Sequence, residues 1–376
     1  MSTIVSVEHA VLQEGSRQLI FVRICDSDGV VGYGEATLSG QTEAVRSLIT
    51  TFADYLCGQQ SERINHHWQY LFRGFWKGGF TVMTALAGIE VALWDLLARR
   101  MNVPLYQLLG GAVRDRIRVY THLGGDSSEQ IVDNVTRLTE QGWRTLKSFP
   151  TLSDTPAAYD QVSKQLERMT VARHANDDID LCFDCHGRFG FQDALHTARG
   201  LAELDFLFIE EPLSPENADQ HEAFCLASPV RVATGERLYY VSAFVKLLDT
   251  SVAYVQPDPM RAGGITQTRV VADLCGARKV FFAPHNSPGT GPVATAVSLH
   301  LAASSHAFMM LEAKERFSNA ELDVCSLRLN IDDGHVPLPQ GPGLGVELDW
   351  QRLTHESVTT MTMPRVTRVD GTVEDY

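Results

Sequence analysis

LCFDCHG at 181–187, FLFIEEP at 206–212 and VATGER at 232–237 each carry an apolar run into an acidic residue. The acids are Asp184, Glu210 and Glu236, spaced 26 residues apart each time. That interval is one strand, one helix and two loops. A βα repeat of this size sets successive strand ends side by side on a parallel barrel, whose chemistry sits at the C-terminal ends of the strands. Three carboxylates then converge, and they repel one another unless a cation neutralises them. An all-oxygen set without His or Cys favours magnesium or manganese over zinc or copper. Asp184, Glu210 and Glu236 are therefore the candidate ligands of one such ion.

Outward from this stretch the same rhythm extends in both directions. Strand ends fall near Tyr120, Lys147, Asp184, Glu210, Glu236, Gln256, Pro284 and Glu312, with amphipathic stretches such as EQIVDNVTRLTEQGW between them. Eight such ends predict an α/β barrel over residues 116–330. Residues 1–115 do not follow the rhythm. Two β-rich runs joined by DSDG read as an antiparallel meander, and from Gln41 the apolar spacing turns helical up to Pro104. The segment 331–376, with its turn-rich PQGPG, is expected to pack back on the first domain. GFWKGGF, carrying Phe75, Trp76 and Lys77, reads either as an inter-helix turn or as a lid over a ligand.

Bulk properties narrow the function. A chain of 376 residues is long for one ordinary domain, and 44% apolar content is ample for a large core. A formal charge of −14 with pI near 5.4 argues against nucleic acid or an anionic membrane as partner, though a bound metal can reverse the local sign for a small anionic substrate. With no signal-like N-terminus and no window approaching 18 consecutive apolar residues, the protein is expected to be cytoplasmic. Seven scattered cysteines fit reduced thiols. Cys182 and Cys185 flank Asp184 at a strand end and read as packing residues.

The remaining strand ends supply acid–base groups: Lys147 on the second, His186 two residues past Asp184, Asp258 on the sixth, His285 on the seventh and Glu312 on the eighth. Adjacent strands put Asp258 within reach of His285, and a carboxylate on one imidazole nitrogen leaves the other as a stronger base. The other histidines, His122 and His300 among them, read as structural or surface residues.

GIEVALWDL, FIEEP, TGER, QPDPMRAGGIT, APH and GPGLGVELD resemble, over essentially the whole chain, the mandelate racemase subgroup of the enolase superfamily. FDCHGRFG, ATGERL and GFWKGGF resemble the galactonate dehydratase type of acid-sugar dehydratase more closely than the racemases. The resemblance implies a (β/α)7β modified TIM barrel under an α+β capping domain built from both chain ends. It also implies a hydro-lyase that removes the proton α to a carboxylate, with D-galactonate as the first substrate to consider. On this reading Asp184, Glu210 and Glu236 hold one Mg2+ per subunit, and His285 with Asp258 forms the base. His186 is the general acid, Glu312 hydrogen-bonds the enediolate, Lys147 matches the first second-strand lysine, and Trp76, Lys77 and Arg237 contact substrate. Homo-oligomers are usual in the family.

Two departures qualify it. Members that racemise from the second strand carry Lys-x-Lys, whereas this chain has Lys147-Ser148-Phe149, and Phe149 cannot take a proton. The lid carries Lys77 where Arg is common, a point charge in place of a planar fork. An epimerase, or a dehydratase of another aldonate or an aldarate, is the alternative. A non-catalytic descendant predicts loss of a ligand or base, and none is lost.

Overall fold

Strand β2 (Arg17–Asp26) is apolar on both faces and buried on both. Ile20, Val22 and Ile24 pack with Val45, Ile49 and Phe52, while Leu19 and Phe21 join the core of the second domain. A strand with two buried faces makes β2 the shared wall of two cores. In the computed structural model, which describes residues 2–74, 78–150, 158–355, 358–359, 367 and 371–373, it forms the centre of an antiparallel meander. Its neighbours are β1 (Ile4–Glu14) and β3 (Val31–Glu35). Helices α1 (Thr42–Leu56), α2 (Ile64–Gly74), α3 (Phe80–Arg100) and the short α4 (Leu105–Leu108) complete this part.

Helix α3 is apolar nearly all round and long enough to cross a membrane, yet it is buried as a core helix. It can approach β3 closely because side chains are missing at the contact. A Cβ on Gly32 or Gly34 would lie 2.1 or 2.0 Å from a carbonyl oxygen of α3.

The second domain repeats strand and helix: β4 (Arg116–His122), α5 (Ser128–Glu140), β5 (Thr145–Ser148), α6 (Ala158–Ala175), β6 (Asp180–Asp184), α7 (Phe191–Glu203) and β7 (Phe208–Glu210). It continues with α8 (His221–Ala227), β8 (Val232–Thr234), α9 (Val241–Leu248), β9 (Tyr254–Val255), α10 (Ile265–Arg278), β10 (Phe281–Phe282), α11 (Pro292–Ser304) and β11 (Leu311–Glu312). Neighbouring strands pair in parallel in the order β10-β9-β8-β7-β6-β5-β4-β11. Backbone bonds from Phe282 N–H to the Ala307 carbonyl and from Met309 N–H to the Phe282 carbonyl, both 2.9 Å, bring the two ends of the sheet together. Seven βα units and a last strand make the (β/α)7β modified TIM barrel. After α12 (Asn319–Val324), β12 (His335–Pro337) pairs antiparallel with β4.

The barrel floor is a plug of Tyr120, Cys182, Phe208, Ala233, Tyr254, Ala283 and Met310. Side chains two residues further along a strand face the same way. The next layer up is therefore His122, Asp184, Glu210, Gly235, Gln256, His285 and Glu312. Cys185 has the opposite parity to Cys182 and packs in the outer core, so the pair are buried free thiols on different faces.

Two carboxylates join the domains. Helices α10 and α11 start at Gly264 and Gly291, neither of which has a side chain to cap its helix. Glu90 of α3 accepts from the Ile265 and Thr266 N–H groups at 2.8 and 2.9 Å, and Glu35 of β3 accepts from those of Gly291 and Ala294 at 2.6 and 3.0 Å. Each supplies from the other domain the acceptor a helix N-terminus needs. The C-terminal segment returns to the same helix, with Leu344 N–H donating to Asp95 at 2.6 Å and Arg99 pairing with Glu347 at 2.6 Å.

Candidate active site

The acids predicted as metal ligands meet at the barrel mouth. One oxygen from each of Asp184, Glu210 and Glu236 lies within 4.8 Å of the others. Asp184 and Glu210 are paired residues on β6 and β7, and Glu236 follows β8 through the left-handed Gly235 at φ +131°. Glu210 Oε1 accepts from Lys147 at 2.8 Å, but Oε2 is buried with no partner among the described residues. Burial, and then Asp184, push the Glu210 carboxyl well above its usual range. Burial acts the same way on Asp184, but Lys147 and then His186 outweigh it and hold that carboxyl low. An oxygen-only donor set with an unsatisfied buried carboxylate oxygen fits a hard divalent cation of the magnesium class.

Lys147 lies inside this cluster, 1% exposed, with Nζ 3.2 Å from Asp184, 2.8 Å from Glu210 and 3.0 Å from Glu312. Burial opposes its charge, yet Glu210 and Glu312 raise its pKa well above the ordinary lysine value. It is a fixed cation and a poor proton acceptor.

His285 and His186 stand at either end of the three carboxylates. His285 Nδ1 is 3.0 Å from Asp258, and its Nε2 is 3.1 Å from Glu236 and 3.6 Å from Glu312. Burial works against the imidazolium, but Glu236, Glu312 and Asp258 together raise the ring to about 9. Because Glu236 contributes most among these, any charge that neutralises it eases proton loss from His285. Asp258 is itself fixed by the Met260 N–H at 2.8 Å and by Arg261 at 3.5 Å. On the other side, His186 sits at φ +53°, a strained region for a non-glycine residue, and its Nε2 is 3.2 Å from Asp184. Its backbone N–H also donates to Asp184, at 2.9 Å.

Two residues of this layer were not singled out by sequence reasoning. His122, read there as structural or surface, ends β4 two residues beyond Tyr120, and its Nε2 lies 2.6 Å from Glu312. The same acid accepts from the Asn286 N–H at 3.1 Å. Gln256 is fully buried, and neither atom of its amide has a partner among the described residues. The floor-plus-two parity is the signal that finds both. Phe149 stands between His122 and His186, with ring centroids 5.7 and 5.8 Å away.

Of the substrate contacts expected, Arg237 pairs through its guanidinium with Glu211, 2.7 Å from Nε and 2.6 Å from Nη2. Glu211 also accepts from the Gly235 N–H at 3.2 Å, so this pair braces the loop that carries Glu236. Trp76 and Lys77 lie outside the described residues.

Comparison with known proteins agrees with this geometry. Residues 3–110 match the mandelate racemase / muconate lactonizing enzyme N-terminal domain, and 130–352 match the enolase C-terminal domain-like family. A D-galactonate dehydratase of Variovorax paradoxus (strain S110) is 35% identical over 90% of this chain and 91% of its own. A structure named as a candidate galactarate dehydratase from Agrobacterium radiobacter, with bound Na and L-malate, superposes with TM-score 0.91 at 30% identity over 99% of both chains. An enolase from Pantoea ananatis with bound D-gluconate and Mg superposes with TM-score 0.90 at 25% identity over 100% of both. With residues 3–110 and 130–352 matched, the chain belongs to the mandelate racemase/muconate lactonizing enzyme family of the enolase superfamily.

Proposed function

We propose that this chain dehydrates a sugar acid to the 2-keto-3-deoxy acid, with Asp184, Glu210 and Glu236 holding Mg2+. Its family and its dehydratase relatives make it an enzyme, a carbon–oxygen hydro-lyase. The observation that carries the reading is the pair of histidines at either end of the three carboxylates, one backed by Asp258 and the other beside Asp184.

The α proton of a carboxylate is too weakly acidic for an unaided imidazole. When bound, the metal ion supplies positive charge that stabilises the developing enediolate. His285 Nε2 takes the C2 proton, and Asp258 on Nδ1 steadies the imidazolium that results. His186 gives its proton to the 3-hydroxyl as the C3–O bond breaks, so water leaves and an enol remains. Tautomerisation returns a proton to C3 and gives the ketone. Glu312, oriented by His122 and the Asn286 N–H, faces the enediolate side. Lys147 offsets the carboxylate charge, and the free amide of Gln256 is left to bond ligand. D-Galactonate, the substrate in the relative's name, is the first acid to test. Seven free cysteines, the exposed Cys57 among them, support a reducing, cytoplasmic setting.

The test is a screen of the purified protein with Mg2+ against aldonic and aldaric acids, reading 2-keto product with semicarbazide. Asp184→Asn should abolish turnover while leaving the fold intact, as read by the far-UV circular dichroism spectrum. Unaltered turnover in that variant would sink the metal assignment.

A further inference from the structure

Asp184 with His186, Glu210 and Glu236 stand on three neighbouring strand ends, and one side chain reaches all three. Arg237 belongs to the loop after β8, beside Glu236. Its Nε and Nη2 both lie on Glu211 Oε2, in the loop after β7, at 2.7 and 2.6 Å. The same Nη2 fills the space that a side chain on Gly187 would need, in the loop after β6. Gly187 follows His186, and its N–H donates back to the Glu211 carbonyl at 2.7 Å.

The two flanks of this bridge do not depend on it equally. On the β8 side, Glu211 Oε1 accepts from the Thr234 hydroxyl and the Gly235 N–H, so the loop of Glu236 has bonds of its own to the buried carboxylate. On the β6 side, His186 and Gly187 are both left-handed, at φ +53° and +66°. That conformation is costly for His186 and persists only where its surroundings enforce it, while Gly187, without a Cβ, is free to leave it. Two backbone bonds hold the turn, from His186 N–H to Asp184 and from Gly187 N–H to Glu211, and Arg237 and Ser214 close the space beside it. The His186 side chain is 36% exposed, so its aim rests largely on the backbone that carries it.

Resting on the dehydratase reading, we propose that Arg237 is a positioning residue for the general acid. It acts through His186 in place of contacting substrate: by closing the space beside Gly187 it holds the turn that keeps the His186 ring at the leaving hydroxyl.

Arg237→Met, which keeps the stem and removes the guanidinium, is compared with the wild-type protein at saturating Mg2+ on D-galactonate and on any other acid the screen finds. Dehydration should fall about tenfold or more in kcat with KM moved less than about twofold, because a displaced acid costs rate and not binding. Exchange of the C2 proton, made by His285 on the other side, should fall far less. Arg237→Lys restores the charge on Glu211 and part of the filled space, and should recover part of kcat. Amide exchange read by mass spectrometry should be faster across residues 185–188 in Arg237→Met. A raised KM at unchanged kcat would make Arg237 a substrate contact. Equal loss of dehydration and of C2 exchange, with more Mg2+ needed for half activity, would make it a brace of Glu236 alone. Either result overturns the proposal and leaves the dehydratase reading standing. Should Arg237→Met fail to fold, the double variant with Glu211→Gln leaves no buried charge unpaired and is read in the same way. If no acid reacts or exchanges its C2 proton in the wild-type protein, the dehydratase reading falls, and amide exchange decides the role of Arg237. Unchanged protection of residues 185–188 in Arg237→Met ends the proposal, and faster exchange there upholds the hold on the His186 turn.

Discussion

At the scale of single residues, the two histidines are separable by experiment. His285→Asn should lose both dehydration and exchange of the C2 proton with deuterated solvent. His186→Asn should lose dehydration by roughly a hundredfold or more while exchange persists, because only the departure of the hydroxyl is blocked. Exchange lost in both, followed by NMR, would make His186 part of the proton-removing step. Gln256 offers a test of a different kind. Its amide is buried with no partner among the described residues, so Gln256→Leu should leave thermal stability equal or higher, yet lower kcat/KM about tenfold by removing a bond to ligand. A destabilised variant of full activity would make the residue merely structural. The acids of the site were legible because an apolar run into an acid is a strong local pattern. His122 and Gln256 were not, since nothing local marks them; only the inward parity set by Tyr120 and Tyr254 does. The turn of Arg237 toward Glu211 was equally hidden, because it depends on a residue one strand away.

Single elements carry a pH response of their own. Helix α11 is buried along nearly its whole length, and His300 within it is 0% exposed, its Nδ1 accepting from the Tyr106 N–H of α4 at 3.1 Å. Burial lowers this imidazole to about 4 from the ordinary 6.5. The unfolded chain then takes up a proton that the folded chain refuses. His300 contributes its full stability above pH 6.5 and loses it as pH falls toward 4, by about 3 kcal/mol in all. His300→Gln keeps an acceptor for Tyr106 but does not titrate, so urea midpoints of the two proteins should diverge across that window. Parallel curves would disprove the assignment. The starts of α10 and α11 make a second prediction. Glu90→Ala strips the acceptor from two backbone donors, the Thr266 hydroxyl and the Trp94 ring N–H, and should destabilise by about 3 kcal/mol in denaturant titrations. Helix and strand order were readable from period and turn chemistry. The capping of barrel helices by Glu35 and Glu90 was not, since their partners lie 256 and 175 residues away.

For the whole molecule, the βα rhythm and the contrasting first domain could be read directly, because each strand–helix unit repeats one local pattern. What escaped the sequence is how the domains are joined. Strand β2 is shared between two cores, and Glu35, Glu90 and Asp95 tie the first domain to the barrel and to the returning C-terminal segment.

The reach of Glu35 and Glu90 also governs the order in which the protein is completed during synthesis. The meander and α3 leave the ribosome first, carrying carboxylates whose partners at Ile265 and Gly291 have not yet been made. Until then Glu35 has only Thr37 and Glu90 only Trp94 as partners close in sequence, and Asp95 holds Tyr33 and Arg99 but waits longer still for Leu344. Contacts of such separation form late. The part of the chain that is born first is therefore finished last, and a chain stopped before residue 291 leaves its opening domain without the contacts that anchor it.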